Sequence, residues 1–445
     1  MILSSYDMPV LQGESATGVC SFILSKLSYP DKSIKNYHIL YTKVLYLRDF
    51  NLLAMKNIRI ICCIILCTLS HHIMSADNDG KVRFTYDVDF EMNFDNREYY
   101  SSNFSNSMTI FGARLTPSAG LTVRQDSKMI HKVMGGIDIM KDFGASISPV
   151  DVTPEHSPEL SGNQLNTNLF REIVLYYGMN VKSGDNDFSM YAGIFPRRFS
   201  DGSYSTAFFS DSLKFYDNNF EGLLLKLKRP KAYFELGCDW MGQYGNFRRE
   251  KFMVFSSGEG KVSPMLSLGY SAYMYHFACS NDVDGVVDNM LVNPYARLEL
   301  GPKVGFQELS VTLGWLQGLQ HDRKNVGHYV FPGGGELKTE IKKWNAGIRN
   351  SLFWGDDMMP YYNSRDEGGF TYGERLYMGD PFYRINDDGR IGPGIYDMLE
   401  IYYEPHLGRF LEIRIGARFH FHSRGYSGCQ QIVNLRFNLH EMLER

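Results

Sequence analysis

Proline and cysteine are thinly spread in this chain, with 16 prolines and seven cysteines among 445 residues. Proline cannot donate to a β-ladder, so its scarcity leaves room for many strands. Four cysteines (Cys20, Cys62, Cys63 and Cys67) precede Ala76, and only Cys238, Cys279 and Cys429 follow it. An odd, sparse set of this kind excludes a disulfide framework, and the three read as packed thiols. After Ala76 no apolar run approaches the roughly 18 residues of a membrane-spanning helix, and amphipathic helical periods are few. A basic excess is missing too. Seven of the 46 Lys and Arg and four of the 50 Asp and Glu lie before Ala76, leaving the remainder acidic by about seven charges. Nucleic acid is therefore excluded as a partner.

Aromatic residues and glycine are abundant, at 30 Phe, 29 Tyr and 42 Gly, a composition of strands and turns. Residues 1–54 show no clear period and read as an extension ahead of the true start. From Met55 the sequence MKNIRIICCIILCTLSHHIMSADNDG has a basic tip (Lys56, Arg59), an apolar run from Ile60 to Leu69, and small residues at Ser75 and Ala76. This is the three-part form of a secretory signal peptide, too short to cross a bilayer as a helix. It spans 55–76 and places the mature chain at 77–445. Leu66 before Cys67 is larger than a lipoprotein cleavage site wants.

Strand periods fill that chain. In LEIRIGARFHFHS, Leu411, Ile413, Ile415, Ala417, Phe419 and Phe421 alternate with Glu412, Arg414, Gly416, Arg418, His420 and His422. A period of two puts the two sets on opposite faces of a strand, here about 40 Å long at roughly 3.3 Å per residue. KVRFTYDVDFEMNF, from Lys81, repeats the pattern at the other end of the chain. Between them the periodicity predicts strands near 107–116, 129–142, 169–182, 187–199, 219–229, 231–241, 262–279, 289–301, 304–318, 339–354 and 396–405, with a last one at 428–439. The total is fourteen, within a range of 12 to 16. Short turns (KSGDND from Lys182, RPK from Arg229, LGPKV from Leu300, PHLG from Pro405) alternate with long polar loops at 143–168, 200–218, 242–261, 319–338 and 355–395. That layout is expected of an all-β, antiparallel up-and-down transmembrane β-barrel. The loop at 355–395 is long enough to fold into the lumen as a plug or constriction, or to stand outside.

The signal peptide, the aromatic-flanked strand NAGIRNSLFW (Asn345 to Trp354) and the C-terminal run YEPHLGRFLEIRIGARFHFHSRGYSGCQQIVNLRFNL together resemble the porin-like outer-membrane β-barrels of Bacteroidetes. Val433, Leu435, Phe437 and Leu439 supply the alternating last strand that barrel-assembly machinery reads; the tail HEMLER departs from the pattern. The resemblance implies a place in the outer membrane of a Gram-negative bacterium, with outer-membrane lipid as solvent, the assembly machinery as partner and homo-oligomers as an option.

In such a barrel the polar residue of each strand points inward. The lumen-facing candidates are Arg83, Asp87, Asp89, Glu91, Arg297, Glu299, Lys343, Arg349, Glu412, Arg414, Arg418, His420 and Arg436. Mixed Arg and carboxylate rows make a transverse field that orients polar solutes, or they simply neutralise one another across neighbouring strands. The function this suggests is a channel for small polar solutes such as glycans or ions; the alternative is a closed barrel whose long loops act as receptor, adhesin or export partner. No catalytic residue, metal site or cofactor is expected. His420 with Ser423 lacks a lipase-like motif, His328 with Asp356 and Asp357 imitates a protease rim only by chance, and no G-x-S-x-G elbow occurs. His420 and His422 share a face but lack a third ligand, and read as solvated lumen or rim histidines. DNDG (from Asp77) and NDDG (from Asn386) lack the distal Glu of a calcium loop. FPGGG (from Phe331) lacks the Lys-Ser/Thr of a phosphate loop and reads as a flexible loop tip. On these signals the chain is not an enzyme.

Overall fold

The computed structural model describes residues 81–100, 107–143, 170–246, 248–281, 284–365, 372–385, 392–423 and 425–439. The N-terminal extension, the signal peptide, DNDG and NDDG lie outside the described residues. Sixteen strands follow in chain order. The first eight are β1 (Val82–Tyr99), β2 (Met108–Arg124), β3 (Met129–Asp142), β4 (Phe170–Ser183), β5 (Asn186–Pro196), β6 (Asn219–Arg229), β7 (Ala232–Gly242) and β8 (Lys251–Lys261). The rest are β9 (Leu266–Phe277), β10 (Val287–Glu299), β11 (Glu308–Asp322), β12 (Gly333–Lys343), β13 (Ala346–Gly355), β14 (Gly394–Tyr403), β15 (Leu411–His422) and β16 (Gly425–Asn438). Each pairs with its sequence neighbours, and β1 closes the ring on β16, with Asp89 opposite Asn438 and Tyr99 opposite Gly428. Closure removes every unpaired strand edge.

Two features raise the count from the expected fourteen to sixteen. Residues 339–354 read as one strand, but the chain reverses at Trp344 and Asn345, whose φ angles are 52° and 65°. Positive φ at both central residues makes the two-residue hairpin whose twist matches its strands, and Lys343 pairs with Ala346 across it. The second is β8, KFMVFSSGEGK, inside what reads as a polar loop; its Ser and Gly blur the alternation, although Met253, Phe255 and Ser257 all turn to a buried face. FPGGG is likewise no loop tip. Its glycines begin β12, and a Cβ on Gly335 would stand 2.1 Å from the Trp354 ring, so that indole requires glycine there.

The outer face is apolar. Ile341, Ile348 and Ile401 stand level across three strands and are about half exposed. Aromatic side chains flank this band at both ends: Phe84, Tyr86, Trp344 and Tyr403 at the short-turn end, Trp240, Trp354 and Phe421 at the long-loop end. An apolar band between aromatic girdles is the exterior a bilayer requires of a barrel.

The interior is filled from the long-loop end by two inserted segments, 197–218 and the described residues 356–365 and 372–385. The first carries the helix α1 (Asp211–Tyr216), capped by Ser210, whose Oγ accepts from the Leu213 N–H. The second supplies Met358, Met359, Leu376, Phe382 and Tyr383, which pack with Phe208, Tyr275, Phe353 and Tyr396 into one buried apolar core. The segments are tied together where the Ser210 N–H donates to the Met378 carbonyl (2.8 Å) and the Asp380 N–H to that of Thr206 (2.8 Å). Glu336 on β12 joins both to the wall. Its Oε1 accepts from Ser205 in the first segment (2.5 Å) and Tyr383 in the second (2.7 Å).

Candidate functional site

The sequence-predicted polar residues separate into several groups. Asp87 and Asp89 each stand 3.3 Å from Arg198 of the first inserted segment, and Asp89 also meets Arg436 at 3.0 Å. Glu91, Arg349, Arg414 and Arg418 line one internal cavity of about 280 Å³ beside α1. There Arg349 pairs with Glu340 (2.8 Å), Arg414 with Glu400 (2.9 Å) and Glu404, and Arg418 with Asp211 of α1 (2.9 Å). Arg297 is elsewhere, bonded to Ser203 (2.8 Å) and 3.4 Å from Glu259. Glu299 and Glu412 stand near the short-turn rim beside Lys261 and Arg436 (3.4 and 3.5 Å), and Arg83 is exposed near the start of β1. These contacts largely neutralise the charges in pairs.

Two predictions need correcting. Lys343 is not on the lumen side: reading 339–354 as one strand carried the wrong parity across the hairpin. Its neighbour Lys342 pairs with Glu404, while the Lys343 ammonium lies over the rings of Phe306 (4.9 Å) and Trp344 (4.8 Å). His420 is not solvated. It is fully buried, with Nδ1 2.9 Å from the Tyr396 hydroxyl, Nε2 2.8 Å from Gln430 Oε1, and its ring stacked on Phe382 at 4.3 Å. Ser423 Oγ meanwhile accepts from the Ile395 N–H, and Asp356 and Asp357 accept from the N–H groups of Gly333 and Met359.

The inserted segments have their own electrostatics. Asp201 is held by the ammonium groups of Lys226 (2.6 Å) and Lys228 (2.9 Å). Burial alone would raise its carboxyl, but the two lysines outweigh that and hold it below the usual carboxylate range.

A different constellation lies on the outer face at the long-loop rim. Along β9 the inward side chains Tyr273, Tyr275 and Phe277 are buried, whereas Met274 and His276 turn outward. Register places Trp240, Phe252, His276, Asp288 and His321 level on five successive strands. Trp240 stacks on Phe252 (5.4 Å, 8°), and Phe252 lies 5.0 Å from the His276 ring. His276 Nδ1 is 3.0 Å from Asp288 Oδ1, and Arg323 Nε donates to Asp288 Oδ2 at 2.7 Å. Asp288 is nearly covered and His276 about a quarter exposed. A carboxylate on Nδ1 fixes the proton there and leaves Nε2 as the acceptor, the arrangement of a general base.

The family model described as "Lipid A 3'-O-deacylase-type" matches residues 74–362. This chain belongs to that family. The match runs from before β1 to just beyond β13 and includes His276, Asp288 and Arg323, whereas Arg414, Arg418 and His420 lie outside it. Membership of a deacylase family overturns the expectation that the chain is not an enzyme. That expectation rests on the absence of linear motifs, and this rim pair forms none. Similar solved barrels include OmpTdeltaL8, a loop L8 deletion mutant of OmpT, an outer membrane protein of Vibrio cholerae (9% identity, TM-score 0.45, covering 80% of this chain and 99% of that one). Others are Acinetobacter baumannii OccAB3 (10%, 0.41, 80% and 99%) and Pseudomonas putida OprB at high pH (10%, 0.44, 81% and 95%). Likeness at that level says nothing about the chemistry of this chain. No curated protein matches it.

The rim pair had one signal in the sequence. His276 and Asp288 each extend an outward row that is otherwise largely apolar, Leu268–Met274 and Met290–Val292, and they lie equidistant from the centre of the 278–286 connection.

Proposed function

We propose that this deacylase-family barrel sits in the outer membrane and hydrolyses an O-linked acyl ester of lipid A at its outer rim, with His276 as general base. The observation that carries this reading is the His276–Asp288–Arg323 constellation on the outward face, beside the stacked Trp240 and Phe252. Aromatic girdles sit where headgroups meet acyl chains, which is also the depth of an ester joining a sugar to a fatty acid. Asp288 orients His276 through Nδ1, and Arg323 donates to the other oxygen of that carboxylate. His276 Nε2 takes a proton from a water as it attacks the ester carbonyl, then returns it to the departing alkoxide, giving a free fatty acid and an alcohol.

The test is mass spectrometry of lipid A incubated with the purified barrel in mixed micelles. The wild type should release fatty acid, and His276→Ala should slow release by roughly 10²–10⁴-fold, the usual contribution of a general base. An inert wild type, or a His276→Ala variant as fast as the wild type, overturns the reading.

Passage of small polar solutes is a second reading, favoured by a polar cavity of about 640 Å³ between the wall and the two inserted segments. Planar-bilayer recording tests it: absence of conductance even after deletion of 356–394 would remove it.

A further inference from the structure

The larger cavity has charge that its own walls do not balance. Lys251 enters it from β8 and Arg375 from the second inserted segment. Neither side chain is in hydrogen-bond or ion-pair contact with another described side chain, and the two repel each other. Glu172 and Glu221 enter from β4 and β6, with their carboxyls side by side. Glu172 is bonded to the Asn219 amide at 2.7 Å, a neutral donor that leaves its charge unbalanced. The other acids here are already paired: Asp138 with Arg114, and both Asp217 and Asp239 with Arg197. One side of the cavity therefore holds two cations and the other two carboxyls, none of the four in contact with an opposite charge; Asp217 attracts Lys251 from a distance, and within each pair like charges repel.

We infer that this cavity binds a short zwitterionic peptide, its carboxylate on Lys251 and Arg375 and its ammonium on Glu172 and Glu221. A ligand carrying both charges relieves both repulsions at once, whereas an ion of either sign relieves one and leaves the other. Dimensions agree. β6 and β8 are two strand spacings apart, about 10 Å, and long side chains reach inward from both. The remaining gap suits the ends of a two- or three-residue peptide, whose successive Cα atoms are about 3.8 Å apart. A volume of about 640 Å³ lies within the range of ordinary small-ligand sites. Tyr275, Met359 and Met378 give the peptide side chains apolar surface. Although Trp240 lines this cavity as well as the outer row, none of the four charged residues is bonded to His276, Asp288 or Arg323, so its failure would leave the hydrolase reading intact.

Isothermal titration of the folded barrel in detergent tests this with alanyl-leucine, its N-acetyl form, its C-terminal amide, and glucose. The free dipeptide should bind, each blocked form should bind at least about tenfold more weakly, as expected for losing a charge-assisted bond, and glucose should not compete. Lys251→Gln should erase discrimination against the amide while preserving it against the acetyl form, and Glu172→Gln should do the reverse. This crossed pattern separates recognition from loss of folding, which would abolish both. Absence of binding by the wild type, equal binding of blocked and free dipeptide, or variants that leave both discriminations unchanged would overturn the proposal.

Discussion

Replacing Glu336 with alanine should release the inserted segments from the wall. Glu336 is almost wholly buried, and its Oε1 is the shared acceptor for Ser205 of the first segment and Tyr383 of the second. Its Oε2 meets Lys338 Nζ at 2.9 Å. Hydrogen bonds to a charged group contribute about 1.5–3 kcal/mol each, so the two segment bonds together give roughly 3–6 kcal/mol. Ser205 and Tyr383 also lie 3.3 Å from each other, a contact that survives the substitution and favours the lower half of that range. At 1.4 kcal/mol per factor of ten, about 3–4 kcal/mol raises the undocked population some hundred- to thousandfold. Limited proteolysis of the folded barrel reads this directly, with heat-modifiable gel migration confirming that the wall is closed. Glu336→Ala should accelerate cleavage within 197–218 and 356–393, and Glu336→Gln, which keeps one acceptor oxygen, should have a smaller effect. A folded Glu336→Ala barrel cleaved no faster than the wild type would refute the claim that this carboxylate joins both segments to the wall.

Asp201 gives a pH dependence of defined sign. Its folded carboxyl is held below the unfolded value by Lys226 and Lys228, so its contribution is complete above about pH 4 and is lost as pH falls through the depressed value. Protease protection of 197–218 should weaken over that acidic window, and Asp201→Asn should be weaker at neutral pH with a smaller acid step; an unchanged step would show that another group controls it. On the outer face, Leu399→Arg, midway along the outward row of β14 between Ile395 and Tyr403, should destabilise the barrel by roughly 2–4 kcal/mol near the bilayer midplane. Urea unfolding from vesicles measures this, and a harmless substitution would mean that this face does not meet lipid. At the β12–β13 hairpin, Asn345→Ala forces alanine into a left-handed φ, costing about 1–2 kcal/mol, while Asn345→Gly should be tolerated. Equal unfolding midpoints for the two variants would contradict the turn assignment.

Much of the wall was legible because alternation is a local property. Each strand's two faces follow from backbone geometry alone, and so the rows ending in Phe421 and beginning at Val82 could be read without knowing their partners. Reading failed where the local signal failed. In β8 the small side chains of SSGEG hide a strand, and at Trp344–Asn345 a two-residue turn without glycine at its centre joins two strands into one apparent run. Lys343 went to the wrong face for that same reason, since a missed turn breaks the parity count. His420 was placed on the lumen face, but its burial depends on Phe382, which arrives from an inserted segment some forty residues earlier.

The candidate sites were less legible than the wall. His276 and Asp288 carry no linear motif, and they meet only because hairpin register sets them opposite each other. The four charged residues of the larger cavity come from three strands and an inserted loop, so no window of sequence contains them together. By itself the sequence determined an all-β chain of long two-faced strands with an apolar exterior, because side-chain period is set by the backbone one residue at a time. Strand count, lumen contents and the pairing of acid with base were decided by the tertiary structure, because each depends on register and on chain segments that are brought together only when the ring closes.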